Sequence, residues 1–280
     1  QVHSPGAQIA AADADLHHGG ELFTGRVGDF TGMHLLPLDV TDDASVHAFR
    51  ENALKISPRV DALVQCAGML ILGSCEETTP EEYQRVLNTN FLGMVRVNRE
   101  VLPLMRQQGG GRILLFSSIN GLMGIPFQSA YTASKHAIEG YAECLREETH
   151  AFGIQITLVE PGDHRSGSGQ YRRHAAAMGD PSPYRAAYES AIARIQRDET
   201  NGSNPDKLGR KIVRLLNRGR MPFRRRIATP DQHLAVYIHR FLGARFNGWV
   251  LRTYYLPGTS ATIGATRPPS PSSDRTGTEK

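Results

Sequence analysis

Three short apolar runs, at 61–65, 112–117 and 155–159, are each separated from the next by a stretch long enough to form helix. This constrains the chain's fold more than any other feature. A run such as Ile113-Leu114-Leu115-Phe116 is apolar at every position, so it buries both of its faces, as strands do in a parallel sheet covered by helices on each side. Parallel neighbours need long crossovers, and helices supply them. Met94, Val97, Val101 and Leu104 recur at helical spacing as the core face of one such crossover. Helices are therefore expected over 46–54, 80–107 and 131–152, giving an α/β fold with a doubly wound parallel sheet. At 280 residues, 40% hydrophobic and 21% charged, the chain can bury one sizeable core. No apolar run is long enough to span a bilayer.

The chemistry is concentrated around Tyr131-Thr132-Ala133-Ser134-Lys135, with Ser118 thirteen residues upstream. On a helix, residues four apart share a face, so the Lys135 ammonium can sit beside the Tyr131 phenol. A free tyrosine has a pKa of about 10; lowering it to about 7 takes about 4 kcal/mol of differential interaction, which one close ammonium in a dry site can supply. The phenol can then give or accept a proton near neutrality. Ser118 follows the apolar run 112–117 and so presents its hydroxyl at a strand's C-terminal tip, where ligands of open α/β sheets bind.

The Tyr-x-x-x-Lys pair has company: Val64-Gln65-Cys66-Ala67-Gly68 closing one strand, Asn88-Thr89-Asn90 within a helical stretch, and Val159-Glu160-Pro161-Gly162 closing another strand. In this order and at these intervals the set resembles the classical short-chain dehydrogenase/reductase family over roughly residues 7–257. The resemblance implies a Rossmann-type domain that transfers hydride between a nicotinamide cofactor and an alcohol or ketone. It makes Tyr131 the catalytic acid/base and Lys135 the residue that lowers its pKa and holds the nicotinamide ribose. Ser118 would orient the substrate oxygen, and Asn90 would hold a water in the proton relay to Lys135. Pro161-Gly162 resembles the turn under the nicotinamide. Ser166 falls near the family's carboxamide-contacting threonine, although Asp163-His164-Arg165-Ser166 departs from the usual sequence.

The cofactor half of the pattern is damaged. A dinucleotide fold uses a first strand and a glycine-rich turn to bring backbone amides and a helix N-terminus to the pyrophosphate. Thr24-Gly25-Arg26-Val27-Gly28 and Thr31-Gly32-Met33 lack the family's spacing and a preceding apolar strand, so they read as loop. Gln8-Ile9-Ala10-Ala11-Ala12-Asp13 instead resembles the family's second strand. Asp13, with Asp15 in reserve, would bind the adenosine ribose and favour NAD over NADP. Leu35 to Val40 resembles the third strand with its adenine-contacting Asp39 and the adjoining Val40. Cys66 and Gln65 replace the family's two asparagines, while Ala67 and Gly68, which let the backbone pass close to cofactor, are kept. The first, central strand is thus expected to be missing, and the chain reads as an incomplete or processed product. The rival reading is a natural domain that dispenses with dinucleotide. NADP is kept as the alternative cofactor, and a catalytically inactive chain acting through oligomer contacts as the alternative function.

Residues 163–205 lie where the family keeps its substrate lid, around a helix expected over 184–197, with His164 and His174 read as solvated. A C-terminal extension follows over 206–257, and the Gly-Thr-Ser-Pro-rich 258–280 has too little apolar content to fold. Cys66, Cys75 and Cys144 show no metal-ligand spacing; with an odd count and no secretory signal, a reducing cytoplasm is the expected compartment and no metal is expected. Arg218-Gly219-Arg220 and Arg224-Arg225-Arg226 raise the question of a polyanion partner. The net charge of +4 is small, however, and no nucleic-acid motif accompanies it, so these arginines are expected in solvent or against acids. Residues 233–255 read as an amphipathic helical pair with basic flanks. Such a pair can cap the pocket, meet a second subunit or make a peripheral membrane contact. Small-molecule alcohols or ketones are the expected substrates, steroid-, retinoid- or similarly lipophilic by analogy with the family, and the resemblance implies a homodimer or homotetramer.

Overall fold

The computed structural model describes residues 9–13, 33–165, 172–178 and 182–257, with side chains from residue 34 onward. The apolar runs form the parallel sheet they imply. β3 (Ala62–Gln65), β5 (Gly111–Phe116), β6 (Ile154–Pro161) and β8 (Arg224–Ile227) lie in the order β3-β5-β6-β8. All three ladders are parallel, with Val64 opposite Leu114 and Leu115 opposite Leu158. β1 (Ile9–Asp13) and β2 (Met33–Pro37) form a separate parallel pair, and among the described residues no ladder joins it to β3. β3 is thus a sheet edge here, with Val64 39% exposed although its neighbours are core. A short pair, β4 (Ile71–Leu72) with β7 (Arg173–His174), completes the strands.

Helices cover both faces. Ile113 and Leu115 of β5, with Ile156 and Leu158 of β6, point into the larger core. There they meet Met94, Val97 and Met105 of α3 (Gly93–Gln107) and Ile138, Ala142 and Leu145 of α4 (Ser129–Thr149). Val46 of α1 (Asp43–Ile56) joins the same cluster. On the opposite face Leu114 and Val159 meet Leu215 of α6 (Pro205–Leu216). This two-sided burial explains why the strands read as unbroken apolar runs, and each fully buried Leu or Ile contributes about 1.5–3 kcal/mol.

Several boundaries differ from expectation for identifiable reasons. The helix expected over 80–107 is divided into α2 (Pro80–Leu87) and α3 by a π-helical turn, Asn88–Leu92, which buries Asn90. Such a turn adds a residue to the helical repeat, which periodicity alone does not reveal. β2 stops at Pro37, which has no N–H to continue a ladder, so Asp39 and Val40 lie beyond the strand. Arg224-Arg225-Arg226 belongs to β8: its arginines hide a strand whose apolar anchor is Ile227, and Arg224 and Arg226 meet buried Glu160. The helix expected over 184–197 is α5, Arg185–Thr200, and the last expected pair is α7 (Pro230–Phe241) and α8 (Gly243–Tyr255). Ser166 and residues 258–280 lie outside the described residues, as do 14–32.

Gly93 starts α3 directly against the loop after β2: a Cβ there would lie 2.7 Å from Val40 Cγ2 and 3.1 Å from the Val40 carbonyl oxygen. Gly93→Ala is expected to cost about 1–3 kcal/mol in urea unfolding by overpacking. Combining it with Val40→Ala should cost less than the sum of the two single variants, because the methyl groups that collide are gone; strict additivity would contradict this packing.

Candidate active site

β5 ends at Phe116, and the chain turns through Ser117 and Ser118 into a short 3₁₀ turn, Ile119–Gly121, before α4 begins. Ser118 caps that turn: its Oγ accepts the Asn120 N–H at 3.2 Å, and the residue is 9% exposed. Tyr131, half-buried in the first turn of α4, lies near enough to Ser118 for that hydroxyl to favour its phenolate. One turn on, Lys135 is buried and its Nζ lies 5.4 Å from the centre of the Tyr131 ring. Its ammonium donates to the Phe116 carbonyl at 2.8 Å, which ties α4 to the tip of β5.

The electrostatics differ from the expected phenolate. Burial pushes the Tyr131 phenol up to about 12; the Ser118 hydroxyl works against this, while Glu199 and Asp163 add to it. Burial likewise pulls Lys135 down to about 8, against the opposing pull of Cys66 and Glu139. Desolvation is therefore the largest influence on the phenol, and Tyr131 keeps its proton near neutrality. The Tyr-x-x-x-Lys spacing placed the two groups together correctly, but it could not show how dry the site is.

Asn90 is 1% exposed, and its amide is committed to structure. Oδ1 accepts Met69 N–H at 2.7 Å, while Nδ2 donates to the Met69 carbonyl and to Ser134 Oγ, both at 2.9 Å. Its side-chain amide therefore clamps the segment after β3 to α4. Cys66, Ala67 and Gly68, just beyond β3, are exposed beside it. Although exposed, Cys66 has its thiol pushed up to about 11 by desolvation, with Lys135 pulling it down. A Cβ on Gly68 would lie 3.4 Å from Asn90 Oδ1 and 3.9 Å from Lys135 Nζ, in ordinary contact with both, so this exposed glycine sits directly beside the lysine.

At the end of β6, Pro161 and Gly162 lead into a second cluster. A side chain on Gly162 would collide with Gln232 Oε1 at 1.9 Å, and the Gly162 N–H donates to the Ile227 carbonyl at 3.0 Å. Gln232 is the capping-box residue of α7, and its amide also donates to Asp163 Oδ2. Burial, with Asp198, Glu199 and Asp231 nearby, pushes the Asp163 carboxyl up to about 6. His164 is half-buried, not solvated: one ring nitrogen contacts the Gly162 carbonyl at 2.8 Å, and Nε2 is buried without a partner among the described residues. His174 is exposed, as expected, and hydrogen-bonds Tyr188 on α5. The sequence reading missed the Asp163–Gln232 contact, although Thr229-Pro230-Asp231-Gln232 is a legible capping box.

The residues expected to meet adenine are less open. Asp39 Oδ1 accepts both the Thr41 N–H, at 2.8 Å, and the Thr41 hydroxyl, at 2.7 Å, fixing the turn into α1. Val40 is buried, and its carbonyl accepts from Arg96 at 3.3 Å. Asp13 ends β1 opposite Pro37, but its side chain lies outside the described residues, as does Ser166. No group of His, Cys, Asp and Glu suited to a metal occurs among the described residues.

Residues 3–176 match the short chain dehydrogenase family. The chain belongs to that family. It is 37% identical over 223 residues to 3-ketodihydrosphingosine reductase of Bacteroides thetaiotaomicron, covering 80% of this chain and 83% of that one. It is also 34% identical over 232 residues to retinol dehydrogenase 8 of Bos taurus, covering 79% and 73%. Its fold is similar to a short-chain dehydrogenase from Streptomyces avermitilis, with a TM-score of 0.69 at 27% identity over 89% of this chain and 90% of that one. Membership places the chain among oxidoreductases that use a nicotinamide dinucleotide, and it accounts for the Ser118, Tyr131 and Lys135 convergence.

The depressed Lys135 gives a signed pH effect. Below pH 8 the ammonium is charged in both states and the folded chain bears the full cost of burying it. Between about 8 and the ordinary value of 10.5, the unfolded chain binds the proton that the folded chain releases, so this group's contribution to stability rises with pH. Urea unfolding at pH 8 and 9 is expected to show Lys135 contributing about 1 kcal/mol of added stability at the higher pH. Lys135→Met should lack that increment, and an unchanged increment in the variant would contradict the burial cost.

Proposed function

We propose that this chain transfers hydride between a nicotinamide dinucleotide and a lipophilic alcohol/ketone pair, with Tyr131 moving the proton. The observation that carries this reading is the convergence of Ser118, Tyr131 and Lys135 beside the open Cys66-Ala67-Gly68 edge. An ammonium has three donors, and Lys135 spends one on Phe116, so the nicotinamide-ribose end of a dinucleotide fits beside the exposed Gly68. Pro161 and Gly162 would lie under the ring, and Asp13, Asp39 and Val40 would meet the adenosine end. A bound dinucleotide supplies or takes the hydride. In the reductive direction, Ser118 and Tyr131 hydroxyls point at the substrate oxygen, and Tyr131, which holds its proton in this environment, gives it up as charge develops there. Asn90 keeps the segment carrying Gly68 in register with α4, and Lys135 orients the ribose.

Apolar groups near Ser118 support a lipophilic substrate: Ile119, Met123 and Ile125 cluster with Tyr188 of the lid helix and Val236 of α7. The names of the reductase and retinol dehydrogenase relatives point the same way. Asp13 favours NAD over NADP by repelling an additional phosphate. We read 1–257 as one catalytic domain with its lid over 163–205, working as a homodimer or homotetramer. The three free cysteines agree with a reducing cytoplasm. Among the described residues no helix is long and apolar enough to cross a membrane.

Tyr131→Phe is expected to lower turnover of a lipophilic ketone by about 10²-fold or more while leaving NADH affinity nearly unchanged. Retained turnover would remove Tyr131 from the proton-transfer role. Asp13→Ala should weaken NADH more than NADPH in a direct titration, whereas an equal effect on both would take Asp13 out of the ribose site.

A further inference from the structure

The inner face of the α7–α8 pair is fully used. Val236, with Ala235, Leu251 and Tyr255, packs into the cluster that contains Ile71, Leu72 and Tyr188. Tyr254 bonds Asp198 on α5 at 2.9 Å, so the pair is fastened to that helix. Its outer face has no such partner among the described residues. Leu234, Tyr237 and Phe241 fall at i, i+3 and i+7 on α7, and Phe246 and Trp249 at i and i+3 on α8, with Leu242 at the tip between them. Phe241 is 69% exposed and Trp249 57%. Tyr237 stacks with Phe241 and Phe246 lies against Trp249, so the rings form paired ledges and not scattered surface residues.

Beyond Asp231 in the first turn of α7, the charge on this pair has one sign. From Gln232 to Pro257 there is no Asp or Glu, while Arg240, Arg245 and Arg252 are exposed. An exposed aromatic face flanked by arginines combines two affinities: apolar side chains for the acyl boundary and cations for anionic headgroups. A second copy of this chain would bring the same three arginines against themselves, whereas an anionic bilayer neutralises them. We propose that the outer face of the α7–α8 pair docks on the surface of a membrane containing anionic lipid, with Phe241, Leu242 and Trp249 entering the interface. This stands on the surface of the pair alone and is independent of which alcohol or ketone the site takes.

Trp249 is the chain's single tryptophan, so its emission reports on this face without a label. The full chain is titrated with vesicles of phosphatidylcholine and phosphatidylserine at about 7:3, and with phosphatidylcholine alone. The expected result is a saturable blue shift on the mixed vesicles, quenched by brominated acyl chains. Arg240→Gln with Arg245→Gln should weaken it roughly tenfold or more, and Phe241→Asp should abolish it. Both variants change exposed positions, and a circular-dichroism melt checks that they fold. An unshifted Trp249 in the folded chain at saturating lipid would overturn the proposal. So would an equal response to phosphatidylcholine alone, or a blue shift that grows with protein concentration in the absence of lipid, which would assign the face to a second copy.

Discussion

Lys135 reaches from α4 to the carbonyl of Phe116 at the end of β5, and this 2.8 Å contact locks the reactive helix onto the sheet's C-terminal edge. The ammonium is buried to do so, and its depressed pKa records what that burial costs. In return, Tyr131 is held one turn away from Lys135 and near Ser118. Glu139, the next residue along the same face, is buried and paired with Arg224 of β8, so the helix is fixed to the sheet again one turn further on. Asn90 provides a third tie through Ser134. The site is thus a rigid constellation on α4, β5 and the π-helical turn, with the Gly68 side left open.

Much of this arrangement was legible from the residues. Unbroken apolar runs gave β3, β5 and β6, and a four-residue spacing put Tyr131 and Lys135 on one face. What stayed hidden depended on tertiary partners. The strand β8 was concealed because Arg224 and Arg226 occupy it, and charged residues enter a sheet only where acids such as Glu139 and Glu160 await them. The π turn at Asn90 was concealed because it preserves helical composition while altering the repeat. The state of Tyr131 is concealed for a similar reason: spacing places a cation beside the phenol, whereas the burial that raises its pKa depends on tertiary packing. Asp163 and His164 looked like a departure from pattern in the sequence. In the structure they are a half-buried polar junction between the end of β6 and the cap of α7.

The surface divides along the same logic. Where α7 and α8 face α5, their apolar residues are consumed in packing; where they face outward, rings remain exposed among arginines, with no acid after Asp231 in the segment. β3 shows the converse situation. Its sequence is that of a buried strand, yet Val64 is 39% exposed and its free edge faces away from β5. Cys66, Ala67 and Gly68 extend from that edge to the lysine, on the side of β3 that has no ladder among the described residues.

The account's central claim is that the space over Gly68 and Lys135 receives the nicotinamide end of a dinucleotide. Titrating NADH into the full chain, followed by nicotinamide fluorescence together with a thermal melt, tests it most directly. The account predicts saturable binding that raises the melting temperature, and loss of that binding in a Gly68→Val variant that still folds. A folded wild-type chain that does not bind NADH or NADPH, or a Gly68→Val variant that binds as well as wild type, would contradict it.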